Sequence, residues 1–138
     1  MAGMTMDTIT KFMAAWRDAP FSWSGSHCGH MPAAWVEHVT GRPVHMPPVH
    51  SQFAALRRVA RHGGFVDAIS HVLGRQPLRC VSDARVGDVV AWRAGVAARG
   101  WVGVCGVVVV DGFAAVCTGG RAELRPVDGA AAAWRICA

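Results

Sequence analysis

The sequence predicts an α+β fold in which N-terminal helices pack on a C-terminal antiparallel sheet. Apolar residues recur at helical spacing through the first half of the chain, whereas short apolar runs alternate with turn residues in the second half. The 138 residues are enough for one domain with a sizeable core, and neither an internal repeat nor a low-complexity linker divides them. We therefore expect a single domain over residues 1–138, with a helical half at about 5–75 and a sheet half at about 78–138.

Four helices are expected in the first half, each bounded by a capping residue or a helix breaker. Their expected limits are Asp7 or Thr8 to before Pro20, Cys28 or just after it to Gly41, Ser51 to His62–Gly64, and about Phe65 to Gly74. Pro32 must then lie in or near the first turn of the second helix, where its missing N–H costs little. The proline-rich segment Gly41–His50 is expected to be a loop.

Short strands are expected in the second half. The run "RVGDVVAW" (Arg85–Trp92) predicts a turn that leads into a strand, and "WVGVCGVVVV" (Trp101–Val110) predicts a central strand buried on both faces. Asp111–Gly112 is a strong hairpin turn, after which "FAAVCT", "AELRPV" and "AAWRICA" complete the pattern. Because the longest apolar run is about half as long as a membrane-spanning helix, we expect no membrane span.

The charge pattern argues against a nucleic-acid-binding protein and against an N-terminal signal peptide. The net charge is +5, but the arginines are scattered, and only Arg57, Arg58 and Arg61 cluster, as on the solvated face of a helix. A nucleic-acid interface needs a basic stripe or patch, so no nucleic-acid partner is expected. Charged residues such as Asp7 and Lys11 interrupt the N-terminal region, which therefore does not resemble a signal peptide.

The five cysteines are expected to be free thiols in a reducing cytoplasm. None forms a C-x-x-C pair, and their odd number argues against a disulfide framework. An iron–sulfur site would need the four downstream cysteines, whose spacing does not indicate one: Cys80, Cys105, Cys117 and Cys137. No cofactor is expected.

The stretch "FSWSGSHCGHMPAAW" (Phe21–Trp35) contains the candidate site. Cys28 follows a turn rich in glycine and serine and precedes a helix, whose N-terminal N–H groups favour a thiolate. As a nucleophile it would also need a base, usually a histidine within hydrogen-bond reach. The alternatives are a structural thiol and a metal ligand. His27, Cys28 and His30 are weak candidate ligands, because "H-C-x-H" is not an established zinc spacing, and no metal is predicted.

Several motifs follow one another in a recognisable order: "PFSWSGSHC", "AAWVEHVTGRP", "RHGGFVDAISHVLGRQP", "GDVVAW", "VGVCG" and "AAWRICA". Together they resemble the NlpC-type cell-wall peptidases, and more closely a set of small phage tail-tip proteins of that superfamily. The resemblance covers nearly the whole chain. It implies a papain-like fold, with the cysteine at the start of a helix and the catalytic histidine at the start of the first long sheet strand.

Three positions depart from that pattern. Ser24 replaces a glycine, His27 replaces the aspartate before the cysteine, and Trp101 stands where active peptidases have the histidine. No histidine follows His71, so the sheet half cannot supply the imidazole base. His30 is no substitute, because residues two apart on a helix do not face each other. His62 and His71 fall in helical regions, from which one of them could still reach Cys28 in space.

The resemblance therefore implies a catalytically incomplete peptidase fold that serves as a structural component of a phage tail tip or baseplate hub. Such a protein would be made in the host cytoplasm and would contact other tail proteins in the virion. Trp23, His27 and Trp101 are the candidate contacts to a substrate or partner. The main alternative is a tail-carried peptidoglycan peptidase with Cys28 as nucleophile and an unidentified base. A weaker one is a tail-assembly factor that is absent from the finished particle.

Other residues are expected to have structural roles. Asp88 is expected to close or cap the turn before its strand, and five tryptophans are expected in the core: Trp23, Trp35, Trp92, Trp101 and Trp134. The segment "AAAWRICA" is unusually apolar for a chain end, so it is expected either to dock on its own domain or to insert into a partner.

Overall fold

The computed structural model describes residues 8, 9, 11, 12, 14, 30–44, 52–97, 100–118 and 121–136. In this part of the chain the fold is α+β, as predicted: helices come first and a five-stranded antiparallel sheet follows. The helices are α1 (His30–Thr40), α2 (Gln52–Arg61) and α3 (Phe65–Leu73). The described residues between 8 and 14 are also helical and belong to the first predicted helix.

The helix limits agree with the sequence signals. The helix predicted to start just after Cys28 is α1, which begins at His30 and has Pro32 in its first turn. The predicted stop at Gly74 is also confirmed: Gly74 has a φ of 66°, in the left-handed region where a side chain is unfavourable, and its N–H donates to His71 O. Ser51, the predicted cap of α2, lies outside the described residues.

The five strands are β1 (Val89–Ala97), β2 (Gly100–Val110), β3 (Phe113–Thr118), β4 (Arg121–Pro126) and β5 (Ala132–Trp134). Their order in the sheet is β4-β3-β2-β1-β5, so the first four form a meander and β5 returns to pair with β1. The predicted strand Trp101–Val110 is β2, at the centre of the sheet, and Asp111–Gly112 is the predicted turn into β3.

The alternation of residues along the strands produces two apolar faces. The helices cover one face, where Trp35 and Leu73 pack with Val89, Val107 and Trp134. On the opposite face, residues from several strands pack with partly buried residues of the segment between α3 and β1: Val90, Trp92, Val108, Ala114, Val116 and Ala133 with Leu78, Val81 and Ala84. The strand β2 thus contributes to both clusters, as predicted for a doubly buried strand.

Gly106 shows why β2 and β3 can approach each other closely. A Cβ atom at this position would lie 2.5 Å from the carbonyl oxygen of Ala115, a distance that real Cβ contacts do not reach. Only glycine therefore fits the centre of β2 without displacing β3.

The apolar C-terminal segment docks on its own domain. Ala132–Trp134 form β5, Trp134 is fully buried, and Ile136 is buried as well. Trp35 and Trp92 are also in the core, as predicted. Trp23 and the side chain of Trp101 lie outside the described residues. No described helix is long and apolar enough to cross a membrane.

Candidate functional site

The residues that the sequence singles out are only partly described by the structure. Trp23, His27 and Cys28 lie outside the described residues. His30 is the first residue of α1, and Trp101 is the second residue of β2, where its Cα is paired with that of Val96 in β1. The side chains of His30 and Trp101 are outside the described part as well. The structure therefore describes the elements next to the candidate site, α1 and the sheet, rather than the site's own side chains.

The helix that follows Cys28 is anchored to the sheet by one tryptophan. Trp35 is fully buried in the middle of α1, and its indole Nε1 donates a hydrogen bond of 2.8 Å to Gly87 O. Gly87 precedes β1, and its own N–H donates to Val108 O at the far end of β2. The first turn of α1 contains no acidic residue. The turn that carries the "GDVV" motif is thus the direct support of the helix after Cys28.

The same turn holds a buried carboxylate. The side chain of Asp88 is 1% exposed, and its Oδ2 accepts hydrogen bonds from Arg85 N at 2.8 Å and from Arg135 Nε at 2.9 Å. Its Oδ1 accepts a bond of 3.3 Å from Ile136 N. Arg135 in turn donates from Nη2 to Asp83 O at 2.7 Å. Both carboxylate oxygens are therefore bonded to donors of this chain.

These contacts define the role of Asp88. The bond from Arg85 N closes the turn before β1, as predicted. The bonds to Arg135 and Ile136 hold the end of the sheet, a role that the sequence reasoning missed. A signal for it exists in the sequence, since Asp88 and Arg135 are opposite charges in the apolar runs "GDVVAW" and "AAWRICA". A buried charge needs a partner of opposite charge, and Asp88 and Arg135 are the candidates for such a pair.

The described histidines lie on or beside helices. The ring of His38, on α1, lies 5.4 Å from that of Phe12 and 5.9 Å from that of Trp35 between centroids. His62 follows α2, and its ring centroid is 4.5 Å from that of His71 on α3. All seven histidines of the chain precede residue 72, whereas β1 starts at Val89, so none of the five strands contains one.

The described residues show no metal centre. No group of three or more histidine, cysteine, aspartate or glutamate side chains among them is arranged to hold an ion. Of the four cysteines considered for a cluster, Cys80 is exposed and Cys105 is buried in the core. The Cys80 sulfur lies 2.8 Å from Ser82 Oγ, which is a local contact of an exposed side chain.

Comparison with known families gives one result. A model of the family DUF6950, a domain of unknown function, matches residues 5–136. The chain belongs to this family. The match includes the helices, all five strands and the stretch around Cys28, so the whole α+β unit corresponds to one DUF6950 domain. No curated protein and no solved structure matches the chain.

The DUF6950 domain also has a depression that the sequence reasoning missed. It has a volume of about 710 Å³ and lies where β1 continues beyond the end of β5, lined by Trp92, Arg93 and Arg125 among others. The guanidinium carbon of Arg125 is 5.7 Å from the centre of the Trp92 ring, and its Nη2 is 2.7 Å from Glu123 Oε1. The charge of Arg125 is thus already partly balanced by its neighbour on β4.

Proposed function

We propose that this DUF6950 domain is a structural component of a phage tail tip or baseplate hub, built on an NlpC-like, papain-like fold without a complete catalytic dyad. The observation that carries the proposal is the distribution of histidines: all of them precede the sheet, and Trp101 stands at the start of its central strand. The proposal also draws on the ordered motifs that resemble the small tail-tip proteins of that superfamily.

The missing histidine matters because of the chemistry of amide cleavage. A cysteine nucleophile must lose a proton before attack, and the leaving amine must gain one, so a cysteine peptidase needs a group that both accepts and donates. The indole of tryptophan has an N–H donor but no acceptor nitrogen. Trp101 therefore cannot take over the role of a sheet histidine, even if Cys28 is a reactive thiolate.

The arrangement of elements is compatible with the finer fold that we propose. In an NlpC-like fold the helix that begins near the cysteine packs against the sheet, and α1 does pack on β2. The "GDVV" turn supports this helix through Gly87, and Asp88 is occupied with structural bonds rather than directed at a substrate. In this proposal the domain makes contacts instead of cleaving a peptide bond, with Trp23, His27 and Trp101 as the predicted contact residues.

The apolar C-terminal segment does not support a binding role. The apolar segment at the end of the sheet is buried in the domain through Trp134 and Ile136, so it is not a surface that awaits a partner. Large apolar side chains are exposed elsewhere, at Phe113 on β3 and at Leu124 on the edge strand β4. A contact with other tail proteins therefore has to use different residues from those of the C-terminal segment.

The direct test is the composition of the particle. Quantitative mass spectrometry of purified tails should find this chain in a fixed, low copy number relative to the major tail protein. A chain that is abundant in the infected cell but absent from purified particles would contradict a structural role and would favour an assembly factor.

The peptidase alternative is tested by digestion of purified peptidoglycan. We expect the wild-type protein and the variant Cys28→Ala to release no more muropeptide fragments than buffer alone, because the sheet offers no histidine as the base, while an active cell-wall hydrolase serves as the positive control. Fragment release by the wild type that Cys28→Ala abolishes would favour the enzyme and would mean that a residue other than a sheet histidine acts as the base.

A further inference from the structure

Three large apolar side chains are exposed together on the sheet. Val110 is 38%, Phe113 is 43% and Leu124 is 60% exposed. Val110 is paired with Phe113, and Leu124 is paired with Ala115, which lies on the same face of β3 as Phe113. We call these three residues the β3–β4 patch. The helices pack on β2 on this same face and leave the patch uncovered. A contiguous exposed apolar patch marks an interaction surface.

The patch borders an edge strand whose backbone faces outward. Among the described strands, β4 has a neighbour on one side only, which is β3. Val127 N donates to Gly112 O across the β3–β4 ladder. The next pair along the ladder, Phe113 with Pro126, is therefore a pair without hydrogen bonds between its two residues. Because hydrogen-bonding direction alternates along an antiparallel strand, the N–H and C=O of Leu124 point away from β3.

The sequence of β4, "RAELRP", is complementary to itself in one antiparallel register. With a two-fold axis at Leu124, each Leu124 lies opposite its copy, and each Glu123 lies opposite Arg125 of the second copy. The register centred on Glu123 instead places the two Glu123 residues opposite each other, which is a like-charge pair. Opposite-charge and apolar cross-strand pairs stabilise a ladder and like charges destabilise it, so the first register is favoured.

We propose that the chain forms a homodimer by antiparallel pairing of β4 with β4 of a second copy, with the two-fold axis at Leu124. The outward N–H and C=O of Leu124 make the central hydrogen bonds of the new ladder. Pro126 has no N–H, and its carbonyl oxygen already accepts a hydrogen bond of 3.2 Å from Trp92 Nε1, so Pro126 limits the length of the ladder on each side. The pairing joins two five-stranded sheets into one and places the two β3–β4 patches side by side. The proposal does not depend on the function proposed above.

Charge reversal tests this arrangement directly. In Glu123→Arg two arginines face each other across the axis, and in Arg125→Glu two glutamates do. We expect each variant alone to weaken the dimer ~100-fold or more, because like charges opposed across an interface are strongly unfavourable. The double variant, Glu123→Arg with Arg125→Glu, restores both pairs in reversed order and should restore the dimer.

Mixing the two single variants distinguishes an effect on the proposed interface from an effect on the Glu123–Arg125 ion pair within one chain. Glu123 and Arg125 also form an ion pair on β4 itself, and either single variant breaks that pair. Only the proposed register brings the two arginines of one variant opposite the two glutamates of the other, so an equimolar mixture should form a heterodimer. Native mass spectrometry resolves heterodimer from homodimer by mass.

A third single substitution tests the position of the two-fold axis. Leu124→Lys places two lysines at the centre of the interface and should make the protein monomeric, whereas Gln76→Lys, which adds the same charge at an exposed site away from β4, should leave the dimer intact. Sedimentation velocity from low micromolar to high micromolar concentration measures the oligomeric state of both variants and of the wild type. Thermal melts verify that each variant is folded. A folded wild type that stays monomeric throughout overturns the proposal and leaves the patch to a different partner. A dimer that none of the β4 variants weakens also overturns it, because the contact then lies elsewhere.

Discussion

Replacing Asp88 by alanine is expected to destabilise the fold by about 1.5–3 kcal/mol, because several donors lose a buried, charged acceptor while the Arg135 side chain, which is 31% exposed, is hydrated again. The variant leaves Arg135 Nε, Arg85 N and Ile136 N without their acceptor, while Arg135 Nη2 keeps its bond to Asp83 O. A domain of this size has a free energy of unfolding of roughly 5–15 kcal/mol. Urea denaturation followed by circular dichroism measures the change.

Two variants make this result specific. Asp111→Asn, at an exposed aspartate of the turn between β2 and β3, is the control: it removes a carboxylate charge but keeps a residue suited to the turn, and it should change stability by less than about 0.5 kcal/mol. The double variant Asp88→Ala with Arg135→Leu should recover part of the loss, because it removes both charges of the pair. A loss below about 1 kcal/mol in Asp88→Ala would mean that the ion pair does not hold the sheet as described.

Replacing Trp35 by alanine is expected to cost about 3–5 kcal/mol, the range for removal of a large buried aromatic side chain. Trp35 is fully buried between α1 and the sheet, and its ring also packs edge-on against Phe12 at 5.1 Å between centroids. The loss should be measured as a shift of the urea midpoint with an unchanged slope, since the fold itself is retained.

Trp35→Phe separates the hydrogen bond from the packing. It keeps an aromatic ring but removes the donor to Gly87 O, which is buried, so the expected cost is about 1–3 kcal/mol. Trp92→Phe is the matched comparison: its indole bond to Pro126 O is longer, at 3.2 Å, and partly exposed, so the loss should be smaller. Equal losses in the two variants would contradict an anchoring role of the Trp35 bond.

Local patterns were sufficient to predict most of the elements. The helix after Cys28, the stop at Gly74 and the hairpin turn at Asp111–Gly112 all follow from residues within a few positions of the feature. The strand β3 coincides with the predicted run "FAAVCT". Glycine, proline and aspartate act on the backbone next to them, and their effect can therefore be recognised without knowledge of the tertiary fold.

The pairing of distant segments was not predictable in the same way. The run "AAWRICA" was predicted as a strand, but nothing local shows that it pairs with β1 rather than with β4. The Asp88–Arg135 bond joins residues 47 positions apart, and the Trp35–Gly87 bond joins residues 52 positions apart. Such contacts depend on how helices and strands pack together, and a single sequence gives no direct measure of that packing.

The candidate site is intermediate between these cases. The sequence alone identifies Cys28 and shows that no histidine follows His71, because that conclusion needs only the order of residues. It also places Trp101 at the start of β2, which the structure confirms for the backbone. The role of Cys28 stays a prediction, since this residue lies outside the described part of the chain.

The position of β5 has a consequence for the order in which the domain can fold. The meander from β1 to β4 joins neighbours in sequence, whereas the contact of Ile136 with Asp88 spans 48 residues. Closing a longer loop costs more chain entropy, so we expect β5 to dock after the meander has formed. Until then the side of β1 that faces away from β2 is unpaired at Val89–Ala91. An unprotected apolar edge strand can pair with a strand of another molecule. Aggregation of this protein should therefore begin from a chain in which β5 has not yet docked.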